Sequence, residues 1–397
     1  MKRIDVFGGV YRERCAFPEW NQVFGSAGRA AAGLSALVDE VYLHTFLAPT
    51  ERKMVDALLG SFGVMILPSE RSGPIGFDYL HSLAAPDITP SLNAIEEAGE
   101  LVAKVKTAVC FGMLEGSFRI DAQQCVYDPQ STHNPQYFKD TGSTAKRLAI
   151  IMNLAEARKL TGEVTSDAAA EKIIEVDLAE AVIIKNGLYG ATYYGPSGRS
   201  AVPAYEAASV FTIGSGDIFV AAFAFGWALA GLDGPEAAGF ASRATAAYVA
   251  SRSLPIISPA EAAERSWVPV KPAGGNIYLA GPFRELGQRW MIEDAREQLS
   301  SLGMKVFSPV HDIGRGPAEE VVSLDLDAIE QCDAVFAFLN GSSPGTVFEV
   351  GYATGLNRPV FCVAQNMREA DLKLPLGSGC FVYDDYVTAL FHIAWRD

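Results

Sequence analysis

Short apolar runs alternate with longer stretches in which apolar residues recur every three to four positions. Strand-like runs lie at residues 4–9, 40–45, 63–67, 108–111, 148–152 and 181–185. Helical spacing between them predicts helices at 24–37, where the residues are small, and at 92–105, 153–161 and 168–175. Strands and helices in alternation predict an α/β fold with a parallel sheet covered on both faces. Residues 69–90, rich in Gly, Pro and Ser, read as a loop or excursion from that sheet.

A second rhythm starts after residue 275. Strands are expected at 276–280, 305–310, 334–339 and 359–363, with helices reaching about 302 and spanning 318–331, the start of the Glu349 segment, and 384–395. Residues 311–316 read as a loop. Between the two rhythms, Ser258-Pro-Ala-Glu261 is a capping box with Pro at the first helical position. Residues 267–275 then hold two prolines and two glycines, which cannot continue a helix. The expected domains are therefore 1–266 and 276–397, joined by a linker at 267–275. The second is a compact Rossmann-like unit whose crevice lies at the carboxyl ends of its strands.

Composition narrows the field. With 32 Lys and Arg against 47 Asp and Glu, the net charge of −15 argues against a nucleic-acid polymer as partner, though not against nucleotides. No apolar run reaches the roughly 18–20 residues of a membrane helix, and Met1-Lys-Arg-Ile-Asp enters a strand pattern rather than a signal peptide. Cys15, Cys110, Cys125, Cys332, Cys362 and Cys380 show no metal-ligand spacing. They are expected to be reduced core thiols of a cytoplasmic protein.

The chemistry of the second domain centres on Ser342-Ser-Pro-Gly-Thr-Val-Phe-Glu-Val-Gly351 and the preceding helix with Asp325. Glu349 falls in the first turn of a helix, and Ser343 with the amides near Gly345 can grip an anion at its start. Two carboxylates beside an anion grip suit cleavage of a glycosidic bond in a nucleotide. Asp327 and Asp333 read as structural, and His311 as a locally bonded loop histidine. The segment Tyr278-Leu-Ala-Gly-Pro-Phe-Arg284, the Asp325…Asp333 helix and Gly345-Thr-Val-Phe-Glu-Val-Gly-Tyr-Ala353 resemble the nucleoside 2-deoxyribosyltransferase family, which includes nucleoside 5′-monophosphate N-glycosidases. The resemblance implies Glu349 as nucleophile and Asp325 as proton-handling helper, with no cofactor and with Tyr278 and Gly281 in the pocket. Family members that take unphosphorylated nucleosides often carry Asp six residues before the nucleophile; here Ser343 stands there, as in the monophosphate hydrolases. With Arg284 it implies a phosphate site. The family completes its pocket with a neighbouring subunit's residue, near the place of Lys373, which implies a homodimer or larger homo-oligomer.

The first domain carries Phe211-Thr-Ile-Gly-Ser-Gly-Asp-Ile-Phe219, then an apolar helix at 220–230. Asn153-Leu-Ala-Glu156 and Asp128-Pro-Gln130 each follow a strand, Lys185-Asn-Gly-Leu-Tyr-Gly190 reads as strand-turn-strand, and Gly25-Ser-Ala-Gly28 lies near the start. Together these resemble the ribokinase (PfkB) family over about residues 1–265. The resemblance implies a three-layer kinase domain using ATP and Mg2+, with Gly214, Ser215 and Gly216 as an anion hole and Asp217 as base. It further implies Asn153 and Glu156 near magnesium, and Lys185 and Gly187 near the nucleotide. Amides at a helix start and one carboxylate suit phosphoryl transfer, which needs positioning and charge neutralisation more than covalent work. Three positions depart from the family: Phe211 where Asp is usual, Arg29 where Asn is common, and Tyr11-Arg-Glu13 where an acidic sugar contact is expected. They imply an unusual acceptor, or a kinase domain kept as a scaffold.

The expected function is bifunctional: phosphorylation of a nucleoside, then hydrolysis of the monophosphate to free base and sugar 5-phosphate. In the alternative order, the second domain frees a sugar that the first phosphorylates. A nucleotide-sensing regulator with two ligand pockets is the reading from another class.

Overall fold

The computed structural model describes residues 1–131, 134–314 and 316–396. The chain forms two compact units, one of Met1–Ala207 with Phe211–Val270, the other of Ala208–Val210 with the chain from Lys271 onward.

The strands of the first unit are β1 (Arg3–Phe7), β2 (Arg12–Phe17), β3 (Trp20–Val23), β4 (Glu40–Leu47), β5 (Met65–Glu70), β6 (Gly76–His81), β7 (Asp87–Thr89), β8 (Glu100–Phe111), β9 (Ser117–Asp128), β10 (Thr144–Asn153), β11 (Ala181–Lys185), β12 (Ala191–Gly195) and β13 (Gly198–Val202). Nine of them form one sheet in the order β13-β12-β11-β10-β9-β8-β1-β4-β5. It is parallel except at β12 and β13, which pair antiparallel at one edge. Consecutive core residues feed opposite apolar layers: Val109, Ile151 and Ile183 pack on one face, Cys110, Ile150 and Val182 on the other. Both faces are therefore covered, as the apolar runs require. Helices Gly25–Leu34 and Ser215–Ala224 lie in the first of these layers.

The helix expected over 92–105 is not formed. A single 3₁₀ turn, Leu92–Ala94, precedes the long strand β8. Leu101 is buried while Val102 is 61% exposed, and the exposed Lys104 follows two positions later, a period of two that overrides the helical spacing. β8 and β9 pair in parallel from Glu100↔Ser117 to Phe111↔Asp128. Only Gly112–Gly116 connect them, fewer residues than the dozen or so of a helical crossover, so no helix stands between these strands. The excursion at 69–90 holds β6 and β7, which join β2 and β3 in a separate sheet of order β3-β2-β6-β7. β2 and β3 are rich in polar residues and carry no apolar run to announce them. Val268 and Val270 bond to Glu206 and Ala204 within the first unit, Val268 accepting and Val270 donating.

The second unit is a five-stranded sheet of β14 (Asn276–Ala280), β15 (Lys305–Phe307), β16 (Ala334–Phe338), β17 (Val360–Val363) and β18 (Phe381–Tyr383). All pairs are parallel, in the order β15-β14-β16-β17-β18. The strand expected to reach residue 310 stops at Phe307, because Pro309 heads a short helix, Pro309–Asp312. His311 is thus helical rather than in a loop, and Arg315 of that expected loop lies outside the described residues. Helices Leu286–Ser301, Ala318–Gln331, Pro344–Gly355 and Tyr386–Ala394 complete the unit. Among the described residues no helix is long and apolar enough to cross a membrane. All six cysteines are buried free thiols.

Candidate active sites

Numbered within its own sheet, the second unit has strand order 2-1-3-4-5. The order reverses between β14 and β16, where sheets of this kind hold ligands at the carboxyl ends. Three elements flank that switch point: β14 supplies Tyr278, helix Ala318–Gln331 supplies Asp325, and helix Pro344–Gly355 supplies Glu349. Tyr278 is fully buried, its ring stacked on Phe307 at 5.7 Å between centroids, and its hydroxyl donates to Glu349 Oε1 at 3.0 Å.

Burial pushes Glu349 up to about 7; the Tyr278 hydroxyl opposes this and the charge of Asp325 adds to it. Burial also raises Asp325, with Tyr278 again opposing. Asp325 Oδ1 is buried and has no hydrogen-bond partner among the described residues. An unpartnered buried carboxylate oxygen is costly and marks an atom kept for a ligand or a proton. Two neighbouring carboxylates whose proton affinity burial raises are suited to proton transfer as well as nucleophilic attack.

The anion grip is present in outline. Gly341 and Ser342 both have positive φ, +81° and +47°, and this left-handed turn leads into Ser343, the N-cap of Pro344–Gly355. The Ser343 side chain makes no capping bond, so its hydroxyl is not committed to the helix. Gly345 has open space where a Cβ would sit, whereas a Cβ on Gly281 would meet Ile292 Cδ1 at 2.6 Å. Gly281 is thus explained by close helix–strand approach, and Gly345 by no steric need. Arg284 is exposed and has no ion pair among the described residues. Lys373 is exposed at the start of a short helix, Lys373–Gly377. Asp333 accepts from the Asn276 amide at 2.7 Å and so ties down the start of β14, while Asp327 is exposed. His311 is held by Ser308 at 2.9 Å and Glu293 at 2.7 Å, a local bonding role.

In the first unit, Gly214 adopts the left-handed conformation (φ +81°) that opens helix Ser215–Ala224. Asp217, in the first turn, is buried and fully engaged: Arg29 Nη1 donates to its Oδ2 at 2.7 Å and Gln130 Nε2 to its Oδ1 at 2.6 Å. Arg29 is 1% exposed and also bonds Glu13, Tyr248 and the Gly25 carbonyl. A Cβ on Gly214 would fall 2.1 Å from Arg29 Nε, so the guanidinium lies against the turn expected to act as the anion hole. Burial works against the charge on Arg29, and Glu13, Tyr248 and Asp217 more than offset it. Burial raises Glu13 despite its partner. In the sequence Arg29 and Glu13 stand out only as departures from the family pattern and Gln130 only as part of a motif, while Tyr248 does not stand out at all. A further signal for Arg29 is that it is a lone charge in a helix, Gly25–Leu34, with nine of its ten residues buried.

Asn153 and Glu156 form a reciprocal capping box at the start of helix Leu154–Thr161. Burial pushes Glu156 up to about 7, and the charge of Asp128 adds to this. Lys185 Nζ pairs with Asp128 Oδ2 at 3.0 Å and would meet a Cβ on Gly216 at 3.2 Å. Ser215 opens the helix, and Gly187, φ +55°, turns the chain between β11 and β12. Asp128 raises the proton affinity of Glu156, and two carboxylates so placed fit a cation. Mg2+ needs only one or two carboxylates beside phosphate oxygens, so Asp128 and Glu156 suffice as protein ligands. Among the described residues there is no cluster of three or more metal-ligating side chains.

The comparisons follow the same division. A pfkB family carbohydrate kinase model matches residues 105–261, and a nucleoside 2-deoxyribosyltransferase model matches residues 277–385. No curated protein matches the chain. Among solved structures, the chain is similar to the ribokinase of Thermotoga maritima at 17% identity, over 66% of this chain and 97% of that one, with a TM-score of 0.47. It is similar to a nucleoside kinase of Methanocaldococcus jannaschii, an archaeal member of the ribokinase family, at 15% identity over 66% and 97%, TM-score 0.49. A PfkB protein from Polaromonas sp. gives 17% identity over 66% and 99%, TM-score 0.47. The chain thus carries a pfkB family carbohydrate kinase domain followed by a nucleoside 2-deoxyribosyltransferase domain, both of enzyme families.

Proposed function

We propose that the second unit hydrolyses the N-glycosidic bond of a nucleoside 5′-monophosphate, giving free base and a pentose 5-phosphate. The observation that carries this reading is the Tyr278–Glu349 bond beside Asp325, whose buried Oδ1 has no partner among the described residues. Ionised Glu349 attacks the anomeric carbon, the bond from that carbon to the base nitrogen breaks, and the base takes a proton from Asp325. Water then attacks the same carbon of the glycosyl ester, gives its proton to Asp325, and Glu349 leaves as carboxylate. Tyr278 fixes the nucleophile and favours its ionised form. The Ser343 hydroxyl, the amides that follow it and Arg284 hold the phosphate, where an Asp in place of Ser343 would repel it. A second base arriving instead of water would make the same ester serve a transferase. Assembly into a dimer or larger oligomer brings Lys373 of a neighbouring copy to the phosphate; a fully active monomer in sedimentation would remove Lys373 from the site. Incubation with nucleosides and their monophosphates, read by chromatography for free base, tests the whole reading. Faster cleavage of the unphosphorylated nucleosides would defeat the phosphate assignment.

The first unit, in this reading, moves a phosphoryl group from ATP to a hydroxyl, with Asp217 as base. Asp128 and Glu156 would hold Mg2+, which supplies charge neutralisation when bound, and Lys185 would face the nucleotide phosphates. Two orders of reaction are open: the kinase makes the monophosphate, or it acts on the sugar released. The buried Arg29 bears on that choice.

A further inference from the structure

Each oxygen of Asp217 already accepts one bond from a neighbouring side chain. Oδ2 accepts from Arg29 and Oδ1 from Gln130, and both lie within a buried cluster closed by Glu13 and Tyr248. An acceptor hydroxyl that approaches Oδ2 meets the Arg29 guanidinium already bonded there, and one that approaches Oδ1 meets Gln130. Gln130 is neutral and offers no reason to stay or leave when substrate arrives. Arg29 is the controlling partner. It is the only charged residue of its helix, it is 1% exposed, and its guanidinium lies against the Gly214 turn. A guanidinium this deeply buried exchanges one anion for another; it does not give up an anion for a neutral hydroxyl.

We propose that Arg29 determines the acceptor class of the first unit, admitting hydroxyl acceptors that also carry an anionic phosphate and excluding neutral sugars and nucleosides. The acceptor phosphate takes the place of Asp217 on Arg29, in the fork geometry that guanidinium offers to oxyanions. Asp217 Oδ2 then receives the proton of the acceptor hydroxyl. The hydroxyl oxygen bonds to the γ-phosphorus of ATP, and the β–γ bridging bond breaks with its electron pair remaining on ADP. Lys185, Asp128 and Glu156 are the other charged groups facing this region. The inference rests on reading the first unit as a kinase and does not depend on the reaction of the second. A pentose 5-phosphate is an acceptor of the required class, so a reaction that releases pentose 5-phosphate from a nucleotide would precede this one and feed it.

The test uses the full chain with Mg–ATP and two matched pairs: ribose against ribose 5-phosphate, and adenosine against its 5′-monophosphate, read as ADP formed and product mass. Wild type should show kcat/KM at least tenfold higher for a phosphorylated member. Arg29→Asn should lose that preference by at least tenfold and raise transfer to the neutral member, while Arg29→Lys retains part of it. The double variant Glu13→Gln/Arg29→Asn removes one carboxylate with the guanidinium, so the question stays answerable should the single variant fail to fold. Wild-type preference for neutral acceptors, or an unchanged preference in Arg29→Asn and the double variant, overturns the inference and leaves the kinase reading standing. No transfer to any acceptor by wild type and variants overturns both.

Discussion

Asp217 in the first unit has both oxygens occupied, by Arg29 and Gln130, whereas Glu349 in the second accepts one bond, from Tyr278, and its neighbour Asp325 keeps a buried oxygen with no partner among the described residues. Asp217 stands in the first turn of its helix, whereas Glu349 is the sixth residue of Pro344–Gly355 and so lies one turn further in than the first-turn place expected for it, because the helix already begins at Pro344. Both are largely withdrawn from water. They differ in what faces the carboxylate. A buried cation closes the first site, and a substrate must compete with it. A neutral phenol orients the second and leaves it short of a partner, so that substrate or a proton completes it. Position in a motif therefore fixes where a candidate catalytic carboxylate stands, while the residues brought beside it set what a substrate would meet there.

The widest test of that contrast is to remove each carboxylate's chemistry. Glu349→Gln cannot form the glycosyl ester, and base release should fall on the order of 10⁴-fold or more, as for loss of other nucleophiles. Asp217→Asn should lower phosphoryl transfer by about 10²–10⁴ through loss of a positioned base. Residual base release by Glu349→Gln near wild-type level would end the nucleophile assignment.

Stability should separate the sites next. Arg29→Ala strands Glu13 and Asp217 in the interior and should cost about 3–5 kcal/mol in denaturant unfolding. Asp325→Asn removes a poorly satisfied buried charge, so its stability should match or exceed wild type even though base release falls by about 10²–10⁴. Equal losses of stability in the two variants would erase the distinction between a closed and an open site.

The acidity of the second site gives a smaller but well-signed effect. Glu349 must be ionised to attack, and its value of about 7 makes kcat/KM for base release rise as pH passes through that region. Tyr278→Phe removes the hydroxyl that favours the ionised form, so the rising limb should move to higher pH. A shift to lower pH would assign Tyr278 another role. Ser343→Asp is the mildest change: a carboxylate near the phosphate costs on the order of 1 kcal/mol at a partly exposed site, a several-fold drop for monophosphates with nucleosides unaffected or improved.

The chain's own pattern was enough to place the two α/β rhythms, most parallel strands and the Glu349 and Asp217 helices, because these rest on local signals: apolar runs for strands buried on both faces, capping residues and glycines at helix starts. The strand β8 was hidden, since Leu101, Val105 and neighbouring lysines fit a helix as well as a strand until a partner strand selects the period of two. The sheet of β2, β3, β6 and β7 was hidden for a related reason, its residues being polar and its pairings long-range. Sequence alone put Arg29 on a small-residue helix and marked it as unusual. Only tertiary structure brought it onto Asp217, 188 positions away, with Glu13 from another sheet. Local chemistry is written in consecutive residues, whereas the charge that a buried carboxylate meets is set by whichever distant side chains share its interior, where low polarity makes each such neighbour count.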